Sequence, residues 1–149
     1  FPKGTLGKEI DSIARAALWQ NKMDYAHGTG HGVGFYSNVH EGPVSIGKTN
    51  SNELKPGMVI SNEPGYYGSK FGIRIENLEL IKKVGNFLSF ETLTLIPYEK
   101  KLIDKSLLSK TEINQINKYH KLVNEKIRPL INRRDGDLVN FLNSKTSIL

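Results

Sequence analysis

The sequence predicts a protein of the α/β (α+β) class. Three features of the chain support this prediction. Residues 6–22 carry a helical pattern of apolar side chains, residues 71–81 and 87–96 alternate as the strands of a hairpin, and a second helical pattern begins after Ser109. At 149 residues the chain is long enough to bury one adequate core.

The first predicted helix covers residues 6–22, with Thr5 as its N-cap. Its apolar residues recur at helical spacing and form one stripe, which consists of Ile10, Ile13, Ala14, Ala17 and Leu18. We expect this stripe to face the core together with Trp19. The helix is therefore predicted to be structural.

Three of the four histidines lie close together, at His27, His31 and His40. The first two are four residues apart, which on a helix would place both on one face. However, glycines alternate with other residues over 28–34, and each costs about 1 kcal/mol in a helix relative to alanine. The pattern therefore favours an irregular strand or loop whose imidazoles bind a metal or a substrate.

A short apolar strand over residues 58–61 leads directly to Glu63, which precedes the Pro64-Gly65 turn. A carboxylate at the end of a buried strand is well placed for chemistry. The alternative is an exposed glutamate at a turn, which is the more frequent case for this residue type.

The next strand begins with clean alternation, which places Arg74 and Glu76 on one face together with leucines. Two interpretations stay open for these charged residues: they pair with each other, or they face a polar cavity. Residues 84–86 predict the turn of a hairpin, whose second strand ends before Pro97.

The chain changes character after Pro97, so we predict two parts, residues 1–97 and a helical extension over 98–149 that packs on the first part. Ser109 and Glu112 form a capping box for a helix. His120 lies on the apolar stripe of that helix, and a structural role is favoured for it.

Composition excludes several classes of protein. The chain has no cysteine, which rules out disulfides and thiolate metal sites and fits a cytoplasmic location. No apolar run approaches the roughly 20 residues of a membrane span. The net charge of +6 comes from scattered residues, so we predict neither a nucleic-acid partner nor a membrane partner.

Four motifs occur in order with short gaps: residues 27–34 (HGTGHGVG), 38–43 (NVHEGP), 63–67 (EPGYY) and 72–77 (GIRIEN). Together they resemble the catalytic half of aminopeptidase P, the Xaa-Pro aminopeptidases of the pita-bread metallopeptidase superfamily. The resemblance covers nearly the whole chain, and four ordered motifs make it specific. It implies the second half of a pita-bread fold, a curved and mostly antiparallel sheet with flanking helices.

The resemblance implies a dinuclear metal site with two divalent ions, manganese first and Zn²⁺ or Co²⁺ as alternatives. By position, His31, Glu63 and Glu76 match metal ligands, and Glu63 is also expected to take the proton of the bridging water. His40 matches a catalytic residue that contacts the developing oxyanion. The positions that match the substrate pocket or its surroundings are His27, Tyr67 and Arg74.

The implied substrate is a peptide with proline in second position, from which the N-terminal residue is released, and the implied parent enzyme is a homo-oligomer. The family's site has five protein ligands, and two aspartates upstream of the matched region have no counterpart here. We therefore expect the chain to be a fragment that is inactive in isolation.

Two alternatives to this function remain. One is a related peptidase of the same superfamily, a methionine aminopeptidase or a prolidase, although the amino-acid sequence of residues 27–31 and 38–43 favours aminopeptidase P. The other is a non-catalytic member that binds nucleic acid or protein. Such members generally lose metal ligands, whereas every ligand position available in this chain is filled.

Overall fold

The computed structural model describes residues 1–36, 38–132 and 134–149. Their contacts divide the chain into two compact units, Phe1–Thr94 and Leu95–Leu149. The division predicted at residue 97 stays a prediction, as does the packing of the helical extension on the first part. None of the described helices is both long enough and apolar enough to cross a membrane.

The first unit combines one helix with short antiparallel strands, as the predicted fold class requires. Helix α1 is followed by seven strands, and the elements are α1 (Gly7–Gln20), β1 (Gly30–His31), β2 (Ser45–Ile46), β3 (Val59–Asn62), β4 (Gly65–Tyr67), β5 (Gly72–Arg74), β6 (Asn77–Val84) and β7 (Phe87–Thr92). Strands β3, β6 and β7 form one sheet in that order, while β1 pairs with β2 and β4 with β5. The predicted hairpin is β6–β7, and Gly85 turns it with a positive φ of 58°.

The core of this unit is formed by residues of β2, β3, β6 and β7 and of the loops next to β2. Its buried residues are Val44, Ile46, Leu54, Ile60, Ile81 and Leu88. Ile46, Leu54 and Ile60 are fully inaccessible to solvent. Burial of such side chains supplies the main favourable free energy of folding, about 1.5–3 kcal/mol for each one.

The strand predicted over residues 71–81 is in fact two strands, β5 and β6, separated at Ile75 and Glu76. The partner strand is interrupted at the same level, between β3 and β4, where Glu63 and Pro64 lie. Asn62 pairs with Asn77 on one side of the gap and Gly65 pairs with Arg74 on the other. The register therefore sets Glu63 opposite Glu76.

Helix α1 differs from its prediction at both ends and in the face that it buries, and it ends at Gln20, two residues earlier than predicted. It begins one residue later, with Leu6 as N-cap, and the Thr5 hydroxyl donates to the carbonyl of Pro2 instead of capping the helix. Ile13 and Trp19 are 71% and 46% exposed, so the expectation that both face the core was wrong.

The buried face of α1 carries Gly7, Asp11 and Arg15. A Cβ atom on Gly7 would overlap the backbone carbonyl of Ser45, so this face lies against the chain. The close approach at Gly7 sets the rotation of the helix, and the apolar stripe is left only partly covered.

The second unit contains α2 (Lys110–Ile127) and α3 (Gly136–Thr146). Ser109 and Glu112 form the predicted capping box, and the Asp135 side chain caps α3 by accepting from the N–H of Leu138. His120 is completely buried, and its Nε2 accepts a hydrogen bond from the N–H of Tyr98 at 3.1 Å.

Candidate metal centre

His31 lies at the end of β1, and its ring has a defined orientation. Its Nδ1 is 3.1 Å from the carbonyl oxygen of Gly32. Because a carbonyl only accepts, the network assigns the proton of the neutral ring to Nδ1. The lone pair of Nε2 is then free, and this atom lies 3.3 Å from Oε1 of Glu63.

Glu63 is 8% exposed and is held by three neighbours. Its backbone N–H donates to the carbonyl of Thr29 at 2.7 Å, and Oε1 accepts from the Ser61 hydroxyl at 2.9 Å. Its other oxygen, Oε2, is 3.4 Å from Nη1 of Arg74. The carboxylate is thus fixed and nearly buried, rather than exposed at a turn.

His31, Glu63 and Glu76 form one cluster, in which a ligand atom from each residue lies within 4.8 Å of those from the other two. One imidazole nitrogen and two carboxylates suit a divalent cation such as Mn²⁺, which prefers oxygen ligands and accepts imidazole. The facing positions of Glu63 and Glu76 in the β3–β6 register explain why their side chains meet. The donor set therefore fits a metal ion.

His40 lies beside this cluster, since the centroids of the His40 and His31 rings are 4.0 Å apart. His40 itself is exposed. An exposed imidazole next to the ligand cluster can reach a molecule bound there.

His27, Tyr67 and Arg74 form a second group that is joined to the cluster. Nδ1 of His27 donates to the carbonyl of Gly28 at 2.7 Å, so that its Nε2 accepts from the Tyr67 hydroxyl at 2.9 Å. Nε of Arg74 donates to the same hydroxyl oxygen at 2.9 Å. This hydrogen bond to the Tyr67 hydroxyl raises the pKa of Arg74 above its ordinary value.

Arg74 makes an ion pair with Glu63. Arg74 and Tyr67 are both exposed. Their polar groups border the ligand cluster on the side of His27.

The residues that support the site were not predicted from the sequence. Ser61 lies two residues before Glu63, so both side chains project on the same side of the extended chain. Asp11 and Arg15 are one helical turn apart and buried, and Thr29 lies between two of the histidines. The sequence did contain one signal for these residues, since Asp11 and Arg15 form an i, i+4 pair beside an apolar stripe. Such pairs are usually solvated, so the pattern did not predict their burial.

Comparison with known proteins finds matches over nearly the whole chain. Residues 1–83 match the model of metallopeptidase family M24, and residues 86–149 match the model of the C-terminal region of peptidase M24. Xaa-Pro aminopeptidase 1 of Dictyostelium discoideum is 47% identical over 97% of this chain and 25% of its own length. A putative Xaa-Pro aminopeptidase of Saccharomyces cerevisiae is 52% identical over 80% of this chain and 17% of its own length.

Solved structures give the same result. The crystal structure of X-prolyl aminopeptidase from Caenorhabditis elegans, described as a cytosolic enzyme with a di-nuclear active site, matches 100% of this chain and 26% of its own with a TM-score of 0.85 and 42% identity. The prolidase of Pyrococcus horikoshii matches 60% of this chain and 25% of its own with a TM-score of 0.52 and 39% identity. The first match confirms the predicted fold class. The chain spans about a quarter or less of the length of the curated relatives named above.

Proposed function

Because the chain belongs to metallopeptidase family M24, we propose that it supplies part of the dinuclear metal site of an Xaa-Pro aminopeptidase, which releases the N-terminal residue from peptides with proline in second position. The observation that carries this proposal is the cluster of His31, Glu63 and Glu76, whose ligand atoms lie within 4.8 Å of one another. It lies in the region that matches the family model.

In this proposal, Nε2 of His31 and the carboxylates of Glu63 and Glu76 hold the metal. When bound there, the ions would supply Lewis-acid chemistry and a water of lowered pKa. Glu63 would accept the proton of that water, and the fixed position of its carboxylate between Ser61 and Arg74 supports this role. His40 donates to the carbonyl oxygen of the scissile peptide as negative charge develops there.

The exposed edge of the cluster receives the peptide. His27, Tyr67 and Arg74 line the pocket, and the ring of His27 is held between the carbonyl of Gly28 and the hydroxyl of Tyr67. The exposed faces of Tyr67 and His27 suit an apolar proline ring.

The cluster supplies only part of such a site. Two divalent ions carry four positive charges, whereas Glu63 and Glu76 offer two negative charges and His31 none. Taking cations out of water requires compensating charge, so a tight two-ion site needs further carboxylates. We infer that the 149-residue chain by itself is inactive and that the activity belongs to a longer polypeptide with additional ligands.

The finer attributes of the proposed enzyme rest on the donor chemistry and on the relatives. Mn²⁺ is the proposed metal, with Zn²⁺ or Co²⁺ as alternatives, because the donors are oxygen and imidazole. A cytoplasmic location is supported by the nematode relative, which is described as cytosolic. Homo-oligomerisation of the parent enzyme is part of the proposal.

The test has two steps. Calorimetry with Mn²⁺ on this chain should show one weakly held ion, which is lost in His31→Ala. A longer polypeptide that includes the region this chain does not span should then cleave an Xaa-Pro-Xaa tripeptide. Two tight ions on the short chain would refute the inference that its site is incomplete, and a longer polypeptide without Xaa-Pro cleavage would refute the proposed activity.

A prolidase is the second candidate, because a solved prolidase matches 60% of this chain. Prolidases act on dipeptides, so the two candidates differ in whether a residue after proline is required. Cleavage of Xaa-Pro dipeptides in preference to tripeptides would select the prolidase, and cleavage of Met-Ala peptides would indicate a methionine aminopeptidase.

A further inference from the structure

Arg15 on α1 is a charged residue that is only 1% exposed, and all three of its guanidinium nitrogens donate hydrogen bonds. Nε donates to Asp11 at 2.8 Å, and Nη1 donates to Asp24 at 2.5 Å. Nη1 also donates to the carbonyl of Tyr25 at 2.8 Å, and Nη2 donates to the carbonyl of His27 at 2.6 Å. The guanidinium therefore holds two carbonyls of the segment that carries His27.

Asp11 holds the same segment two residues further on. One of its oxygens accepts from Arg15, and the other accepts from the Thr29 hydroxyl at 2.6 Å. Thr29 is fully buried, and its hydroxyl is also hydrogen bonded to that of Tyr25. Two side chains one helical turn apart thus fix the backbone on both sides of His27.

Residues 25–29 contact the ligand cluster of His31, Glu63 and Glu76 directly. The carbonyl of Thr29 accepts the backbone N–H of Glu63 at 2.7 Å, and the ring of His27 is hydrogen bonded to Tyr67. A Cβ atom on Gly30 would overlap the carbonyl of Ser61, so the segment and β3 lie in contact. Any shift of residues 25–29 is transmitted to Glu63 and to His27.

We propose that Asp11 and Arg15 are positioning residues, which set the orientation of His27 and the placement of Glu63 from helix α1. Buried ion pairs are often no more stabilising than apolar residues of similar volume, so stability alone does not account for this pair. The planar guanidinium fork serves four acceptors at once, which the single ammonium of lysine does not reproduce. The chemical role of His27 and Glu63 rests on the proposed function, whereas their positioning by Asp11 and Arg15 rests on the contacts of this chain alone.

The experiment compares the 149-residue chain with three variants, each labelled with ¹⁵N. Asp11→Leu with Arg15→Met removes both charges and preserves volume, so that folding is retained while the hydrogen bonds are lost. Arg15→Lys keeps the charge beside Asp11. The control is Lys121→Gln with Glu125→Gln, which removes an exposed i, i+4 pair on α2.

Two quantities are measured on each folded variant. Long-range ¹⁵N spectra of the imidazoles at about pH 8, where histidine is neutral, report the tautomer of His27, which a His27→Gln sample assigns. Titration with Mn²⁺ reports the affinity of the cluster. Melting temperatures show how much of each change comes from the fold.

In the wild-type chain and the control, the proton of His27 should lie on Nδ1. In both α1 variants the ¹⁵N chemical shifts of His27 should move toward the average of the two tautomers. The affinity for Mn²⁺ should fall about 10-fold. Both variants should still unfold in a cooperative thermal transition. Unchanged His27 shifts in a folded α1 variant would overturn the proposal. Unfolding of both α1 variants would overturn it too, because the pair would then serve the fold.

The same data separate this proposal from the proposed function. If the wild-type chain binds no Mn²⁺ while the His27 tautomer still responds to the α1 variants, the positioning stands and the metal function fails. If the wild-type chain binds Mn²⁺ but the His27 tautomer does not change in the α1 variants, the metal function stands and the positioning proposal fails.

Discussion

The hydroxyl of Ser61 donates a hydrogen bond to Oε1 of Glu63 at 2.9 Å. The same hydroxyl oxygen accepts the backbone N–H of His31, also at 2.9 Å. Ser61 is fully buried, so this one group ties the backbone of one candidate ligand to the carboxylate of another without competition from water. It fixes the spacing of His31 and Glu63 in the absence of a bound metal ion.

Replacement of Ser61 by alanine should weaken both the site and the fold. The change removes a hydrogen bond to the Glu63 carboxylate, worth about 1.5–3 kcal/mol, and leaves the partly buried N–H of His31 without its acceptor, which costs about 1–3 kcal/mol more. Loss of a group that orients a ligand typically lowers metal affinity about 10-fold or more. Mn²⁺ titration and thermal melting measure the two effects. Ser89→Ala on β7 is the control, and equal Mn²⁺ affinities in both variants would contradict the role given to Ser61.

Gly30 should not tolerate a side chain. Its Cβ would overlap the carbonyl oxygen of Ser61, in backbone that cannot move without displacing β3. We expect Gly30→Ala to lower the melting temperature by many degrees and to abolish Mn²⁺ binding, whereas Gly47→Ala, which has open space around its Cβ, should leave both unchanged. A Gly30→Ala chain that melts and binds like the wild type would show that the close approach is unnecessary.

Glu79 on β6 provides a prediction about pH. It is 6% exposed, and its Oε1 accepts from Thr92 at 3.1 Å, while Oε2 has no hydrogen-bond partner in the part of the chain that the structure describes. Burial raises the pKa of this carboxyl, although the hydrogen bond from Thr92 lowers it. Because the folded pKa lies above the unfolded one, this group's contribution to stability is complete below the unfolded pKa and is lost as pH rises through the folded pKa.

Glu79→Gln removes that ionisation, so the variant should melt a few degrees above the wild type at neutral pH and level with it at about pH 4. Glu91→Gln on β7 is the control, since Glu91 is exposed and pairs with Lys82. A Glu79→Gln variant that is less stable than the wild type at neutral pH would contradict this account.

The elements that the sequence predicted well are those determined locally. The β6–β7 hairpin follows from alternation and from a glycine turn, and the capping box of α2 requires only Ser109 and Glu112. The break between β5 and β6 was not predictable in this way, because it depends on which partner strand lies opposite Glu76. Strand pairing between distant segments leaves no signal in the alternation of one segment.

The buried face of α1 shows the same limit. Apolar periodicity predicted burial of Ile13 and Trp19, but the helix buries Asp11 and Arg15. Their partners beyond the helix are a carboxylate, two backbone carbonyls and a hydroxyl, 9 to 18 residues away. The sequence pattern of α1 does not reveal that Arg15 has hydrogen-bond acceptors in residues 24–27. The candidate ligands came from the resemblance of four motifs, and the register that sets Glu63 opposite Glu76 became visible only in the structure.

The most direct test of the central claim is pulsed electron paramagnetic resonance of Mn²⁺ added to the chain, which detects the nitrogen of a directly bound imidazole. The cluster contains one histidine, so we expect coupling to one imidazole nitrogen. This coupling should vanish in His31→Ala and persist in His27→Ala and His40→Ala, whose rings lie outside the cluster. Coupling that survives in His31→Ala, or that disappears only when His27 or His40 is removed, would contradict the assignment of His31, Glu63 and Glu76 as the metal ligands of this chain.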